Sequence, residues 1–370
     1  MLERLAGNDA LKAELGTALR GGRLPHAVLL VGEPGCGAGF AARCLAADYL
    51  YPAGGPHAEA VLKKEDTECL ILQGEGASGQ IPVKKVREAR EAIQRSALST
   101  DAAGRVLFIY GAQNLNGSSA NAMLKIIEEP PEGVLFLLTA TSAATVLPTI
   151  RSRCAAYTIA PVPAADCAAR LKAERLPAKA AEELAFLYEG HIGTALKSWN
   201  DPTAKAALGM AKTLCGYAAQ GDTYRALALL TKYERDKDGF AALLWTLDQL
   251  CSAVLRRPAY GQEQCGGLTP AGAAKILNAD DRARKSLTGN GNLRVNVAVL
   301  AGEFAGKAFH RGERWPAGPD EGKPTGSNPL TGDCGNSALI SQRSGPLTAS
   351  PEEEAALHAS GVPPPTTMLK

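Results

Sequence analysis

An apolar run, Ala27 to Val31, leads into Gly32-Glu33-Pro34-Gly35-Cys36-Gly37-Ala38-Gly39. The glycines have the spacing of a phosphate-binding loop, G-x-x-x-x-G-K followed by Ser or Thr, at the strand-to-helix position such a loop requires. In a working loop the lysine neutralises the β- and γ-phosphates and the hydroxyl after it ligates magnesium. Here Ala38 and Gly39 occupy those positions, and neither side chain can do that chemistry. A second element should end a later strand with an Asp for magnesium and a Glu to orient water. The corresponding stretch, Val106-Leu107-Phe108-Ile109-Tyr110-Gly111-Ala112-Gln113-Asn114, contains no acid. Without lysine, hydroxyl and acids, most of the electrostatic stabilisation of phosphoryl transfer is missing. The expectation is a degenerate loop (Gly32, Gly35, Gly37, Ala38, Gly39) with no cofactor and no ATP hydrolysis at its own site.

The elements that position this loop read as an α/β domain. Ala27 to Val31, Cys69 to Leu72, Val106 to Tyr110, Val134 to Leu138 and Tyr157 to Ile159 are short apolar runs separated by helical patterns, as expected of a parallel sheet covered on both faces. One helix is especially well marked. Asn116 caps it, Ala120, Met123, Leu124 and Ile127 share a face, and Glu128-Glu129-Pro130-Pro131 stops it. From Pro163 to about Pro202 come short helices broken by Pro177 and the turn Gly190-His191-Ile192-Gly193. Long helical periods follow at Ala206 to Gln220, Thr223 to Arg235, Phe240 to Leu255 and Leu293 to Phe304. The expected organisation is therefore residues 1–160 as the α/β domain, 161–202 as a small helical lid, 203–310 as an all-helical domain and 311–370 as a disordered tail. The last 60 residues hold nine Pro and eight Gly with few large apolar side chains, too little to offset the entropy of ordering. Within the tail, Ser350-Pro351-Glu352-Glu353-Glu354 has the cap, proline and acids of a short helix start.

Composition narrows the function. The 370 residues are 45% hydrophobic, enough for two or three domain cores. Forty Lys plus Arg against 38 Asp plus Glu leave +2, which argues against a broad basic face and hence against a stand-alone DNA-binding protein. No stretch approaches the ~20 apolar residues of a membrane span, so the cytoplasm is the expected compartment. Nine scattered cysteines, with no Cys-x-x-Cys pair, suit free thiols and predict neither bridge nor metal. Cys36 and Cys154 have no histidine suggestively placed beside them and read as buried packers.

The segment Ser118-Ser119-Ala120-Asn121-Ala122-Met123-Leu124-Lys125-Ile126-Ile127-Glu128-Glu129-Pro130-Pro131 resembles the A-A-N-A-L-L-K-x-L-E-E-P-P segment of the bacterial DNA polymerase III clamp-loader family, the AAA+ subunits gamma/tau and delta-prime. Arg23-Leu24-Pro25-His26-Ala27 resembles the family's R-L-x-H-A, and Thr149-Ile150-Arg151-Ser152-Arg153-Cys154 its T-I-x-S-R-C. Asn290-Gly291-Asn292-Leu293-Arg294 resembles a helix start in its collar domain, so the resemblance runs from residue 1 to about 308.

What the resemblance implies is specific. The S-R-C arginine, here Arg153, is the family's finger, reaching in trans the ATP bound by a neighbouring subunit, with Arg151 in support. A planar, permanently charged guanidinium suits that task. The family's G-x-x-G-R-A-L turn, with its sensor arginine, reads Gly190-His191-Ile192-Gly193-Thr194-Ala195-Leu196 here, and this third loss favours the delta-prime branch over the gamma/tau motors. Thr141 matches the first sensor position or is an ordinary strand-end threonine. A four-cysteine zinc module found in many members is replaced by Ala53-Gly54-Gly55-Pro56-His57, leaving His57 as an exposed loop residue. The implied partners are gamma/tau and delta, with ATP and magnesium in neighbouring subunits, and the sliding clamp and primed DNA as substrates of the assembly, part of the DNA polymerase III holoenzyme. The alternative is an active, unconventional P-loop ATPase of gamma/tau type.

Overall fold

The computed structural model of the chain describes residues 1–76, 79–94, 101–288 and 292–304. Helix α1 (Asp9–Arg20) precedes β1 (Ala27–Val31), then come α2 (Ala38–Leu50), α3 (Pro56–Lys63), β2 (Cys69–Gln73), α4 (Val83–Ile93) and β3 (Arg105–Tyr110). Helix α5 (Gly117–Glu128), β4 (Val134–Ala140), α6 (Pro148–Arg151) and β5 (Ala155–Thr158) complete the α/β part. The five strands form one parallel sheet ordered β2-β3-β4-β1-β5.

Strand alternation explains why both faces are covered. Val28, Leu30, Phe108 and Leu137 point into a core shared with Leu15, Ala41 and Leu45 of α1 and α2. Their neighbours Leu29, Leu107, Phe136 and Leu138 point into a second core with Val86 of α4 and Met123, Ile126 and Ile127 of α5. All of these side chains are buried, so every residue of β1 and β4 is apolar or nearly so, as parallel strands between helices require. The cap on α5 forms as expected, with Asn116 Oδ1 accepting from the Ser119 amide at 2.9 Å. Its buried face is Ala120, Met123, Ile126 and Ile127; Leu124 is only partly buried.

Seven helices follow the sheet: α7 (Ala164–Ala173), α8 (Ala178–Leu187), α9 (Ile192–Asn200), α10 (Pro202–Gln220), α11 (Thr223–Leu230), α12 (Lys237–Arg256) and α13 (Pro258–Gln264). Two more, α14 (Pro270–Thr288) and α15 (Leu293–Phe304), end the described chain. One continuous apolar core runs from Val162 through Leu187, Leu214 and Phe240 to Leu300. Polar struts reinforce it. Tyr260 Oη donates to Glu183 Oε1 at 3.0 Å, Lys212 pairs with the same carboxylate, and Arg256 Nη2 donates to the carbonyls of Phe186 (3.2 Å) and Leu187 (3.3 Å) at the end of α8. The tail from Arg311, the helix start at Ser350 and the Asn290-Gly291 part of the collar motif lie outside the described residues.

Several expectations need correcting. The last strand is Ala155–Thr158, not Tyr157 to Ile159: pairing with β1 begins at Ala155 opposite Val28, and the amide of the buried Ile159 makes a last bond to the Val31 carbonyl just beyond the strand. Thr223 to Arg235 is a helix to Leu230 followed by one 3-10 turn at Thr231–Tyr233. The Ala53 to His57 stretch is not all loop: Pro56 starts α3, and His57 is its second residue, stacked on Tyr51 with ring centroids 5.4 Å apart. Helices α13 and α14 add to the four helical periods read in residues 203–310. Cys154 is half-buried, its thiol pushed up to about 11 by burial, whereas Cys36 is buried as expected. Among the described residues, the eight cysteines are free thiols, no group of three His, Cys, Asp or Glu could hold a metal ion, and no helix is long and apolar enough to cross a membrane.

Candidate functional site: a glycine loop and an arginine turn

The loop Gly32 to Gly37 joins β1 to α2 at the carboxyl ends of the parallel strands, where open α/β sheets bind ligands. It frames an open cavity of about 410 Å³ that is also lined by Arg43 of α2, Tyr110 and Gly111 at the end of β3, Thr139 and Thr141 at the end of β4, and Gly193. The sheet order places β4 between β1 and β3, so the ends of β3 and β4 face the loop.

Tyr110 occupies the place where an acid is expected. Its ring stacks parallel to Phe108 (5.6 Å between centroids, 3° between planes), and Lys64 Nζ lies 4.9 Å from the ring centroid. A Cβ at Gly39 would sit 3.3 Å from Tyr110 Cε1, so a threonine there would press on the ring. The Tyr110 hydroxyl and Arg43 Nε are both buried without a hydrogen-bond partner among the described residues. Burial pushes the Tyr110 hydroxyl up, with the neighbouring Arg43 pulling the other way.

The Gly190 to Thr194 turn is joined to the loop itself. The Gly193 amide donates to the Gly35 carbonyl at 2.8 Å, Thr194 Oγ1 donates to the Pro34 carbonyl at 3.2 Å, and His191 Nε2 stands 3.0 Å from Glu33 Oε2. Gly35 has φ +93°, and a Cβ there would lie 2.8 Å from the Thr194 nitrogen and still nearer its hydroxyl. Only glycine allows that approach. A magnesium-bound triphosphate calls for an ammonium in the loop and a carboxylate at the end of β3. Among the lining residues the cation is Arg43, and the one acid, Glu33, faces His191. The residues present do not fit that group.

Arg153 lies outside the cavity lining, just past Ser152, the residue that caps α6. Proline at the start of α6 and Ser152 at its end make a single tight turn. The Arg153 guanidinium is 40% exposed. Its Nη2 is 2.5 Å from Glu128 Oε1, and Nη1 donates to the Thr149 carbonyl at 3.2 Å and to Ser152 Oγ at 3.4 Å. Arg151 donates instead to the Ala143 carbonyl at 3.2 Å. His26 Nε2 donates to the Ile127 carbonyl at 3.0 Å, which ties the strand start to the end of α5. The three short motifs around His26, Glu128 and Arg153 thus meet in space. The pairings Glu33–His191 and Glu128–Arg153 left no sequence signal beyond the motifs that contain them.

Known proteins resemble this chain mainly in its first half. The family described as DNA polymerase III, delta subunit, matches residues 7–163. The gamma/tau subunit of Mycobacterium bovis is 34% identical over 155 residues, 40% of this chain and 27% of that protein. The delta-prime subunit of Escherichia coli K12 is 29% identical over 210 residues, 56% of this chain and 57% of that protein, so the chain spans well under two thirds of either relative. Among solved structures, a gamma subunit-related protein of Thermotoga maritima aligns with 79% of this chain at TM-score 0.42 and 16% identity.

Proposed function

We propose, from the match of residues 7–163 to the family described as DNA polymerase III, delta subunit, and from the gamma/tau and delta-prime relatives, that this chain is a clamp-loader subunit of delta-prime type, a stator that does not hydrolyse ATP itself but offers Arg153 to the ATP site of a neighbour. Its partners on this reading are gamma/tau and delta subunits, with the sliding clamp and primed DNA as substrates of the assembly. ATP and magnesium are held by the neighbouring subunits, in the cytoplasm.

The observation that carries the reading is the joint between Gly193-Thr194 and Pro34-Gly35. In an AAA+ motor the loop wraps phosphates and the lid supplies a cation. In this chain two loop carbonyls are taken by the lid turn, Thr194 stands where the cation is expected, and Tyr110 stands where the acid is expected. Phosphoryl transfer is almost entirely positioning and charge stabilisation, so a site without those charges has little left to work with. The turn at Ser152-Arg153, by contrast, carries a charged fork on an exposed edge, suited to bidentate contact with a phosphate.

A second reading, an ATPase of gamma/tau type, is favoured by the 34% identity to the gamma/tau subunit. Mixing the chain with gamma/tau and delta and measuring clamp- and DNA-dependent ATP hydrolysis separates the two. On the stator reading, turnover requires this chain and falls ~10³-fold or more with Arg153→Ala. Turnover by the chain alone supports the second reading, and an Arg153→Ala complex at the full rate removes the finger.

A further inference from the structure

We infer that Glu128 is the positioning residue for Arg153, holding the guanidinium in the pose from which it meets a neighbour's phosphate; the inference rests on the proposed role of Arg153. Glu128 is the last residue of α5 and is followed by a second acid, Glu129. Carboxylates at a helix C-terminus oppose the helix dipole, so neither is there for the stability of α5. Both members of the Glu128–Arg153 pair are about half exposed (45% and 40%), and exposed ion pairs of this kind add little to folding. The contact makes better sense as orientation.

The geometry is specific. Glu128 Oε1 is ion-paired with Nη2 at 2.5 Å, while the Thr149 carbonyl and Ser152 Oγ accept hydrogen bonds from Nη1. The terminal nitrogens are thereby fixed from two sides, and Nε makes no hydrogen bond among the described residues. A guanidinium on four rotatable bonds is held to one arrangement, and the entropy of ordering it has been spent before any phosphate arrives. The carboxylate itself is set by the end of α5, where His26 Nε2 holds the Ile127 carbonyl at 3.0 Å. The chain of positions therefore runs from His26 at the start of β1, through the last turn of α5, to the guanidinium.

The test uses the full chain assembled with gamma/tau and delta, comparing steady-state ATP hydrolysis by complexes carrying Glu128→Ala, Glu128→Gln, Arg153→Ala or Glu128→Ala/Arg153→Ala. Glu128→Ala should lower kcat about three- to fivefold with KM for ATP unchanged, the population change that an exposed ion pair of ordinary strength sustains. Glu128→Gln, which keeps the shape of the contact but removes its charge, should fall between Glu128→Ala and the wild type, and the double variant should be no slower than Arg153→Ala alone. Unaltered thermal unfolding of Glu128→Ala separates positioning from folding. If Arg153→Ala is slow while Glu128→Ala runs at the full rate, or if the two effects multiply, the positioning role is overturned and the finger stands. If Arg153→Ala also runs at the full rate, the finger reading itself has failed and the inference falls with it.

Discussion

The Gly193 amide donates to the Gly35 carbonyl at 2.8 Å, joining a turn of the helical region to the glycine loop of the sheet domain. The residues around this bond continue it. Thr194 reaches Pro34, and His191 faces Glu33 from 158 positions along the chain. A loop whose glycines have the spacing of a phosphate cradle here serves as a seam within the molecule.

Gly35→Ala should damage that seam. The substitution places a side chain at φ +93° and drives its Cβ to 2.8 Å from the Thr194 nitrogen. Strain and overlap together predict a loss of about 2–4 kcal/mol in urea unfolding. Thr194→Ala, which removes one exposed hydroxyl bond to Pro34, should cost about 1 kcal/mol or less.

Putting the missing loop side chains back should not by itself create a nucleotide site. In Ala38→Lys/Gly39→Thr the new threonine meets Tyr110 Cε1 at 3.3 Å, and the end of β3 still has no acid. Titration with a fluorescent ATP analogue should show no gain until Tyr110→Asp is added, which clears the ring and supplies a magnesium ligand. Tight ATP binding by the unaltered chain would favour the motor reading.

The sheet domain carries a buried ion pair that is costly to break. Arg105 Nε donates to Glu68 Oε2 at 3.0 Å, and Glu68 is fully buried between β2 and β3. Arg105→Met should lower stability by about 3–5 kcal/mol because the carboxylate is left without its guanidinium. Replacing both, Arg105→Met/Glu68→Leu, should recover most of that loss in the same denaturation assay.

A pH dependence is expected in α14. Burial raises the Asp280 carboxyl to about 6, against the pull of Arg284, whose Nε is 2.6 Å away. A carboxyl whose folded-state pKa lies above its unfolded value favours folding while protonated, and that contribution is lost as pH rises through about 6. Relative to wild type, Asp280→Asn should therefore gain about 2–3 kcal/mol in unfolding free energy between pH 4 and pH 7. Equal pH profiles for the two proteins would place the group's titration elsewhere.

The sheet was legible because β1, β3 and β4 are buried on both faces and so appear as unbroken apolar runs. Strand β5 was misplaced for the matching reason: it pairs only with β1, its residues alternate between half-buried and exposed, and the apolar Ile159 just beyond it was a misleading marker. Helix α14 escaped because its buried stripe is Ala273, Ile276, Ala279, Asp280, Ala283 and Leu287, three alanines and an acid among only two large apolar residues, which hardly registers as periodic. Helix α3 was hidden by Gly54-Gly55-Pro56, which reads as a turn although proline is a favourable first helical residue.

The sequence by itself determined which side chains are available: Ala38 and Gly39 after the glycine loop, Tyr110 at the end of an apolar run, Thr194 in the Gly190 turn, and Arg153 beside Ser152. Local chemistry is enough for that, because a missing lysine or carboxylate cannot be supplied by folding. Only the tertiary structure decided that Thr194 closes on Pro34, 160 positions away, and that Glu128 meets Arg153. Those pairings depend on how strands, helices and turns pack together, and side-chain periodicity carries no record of which surfaces will face each other.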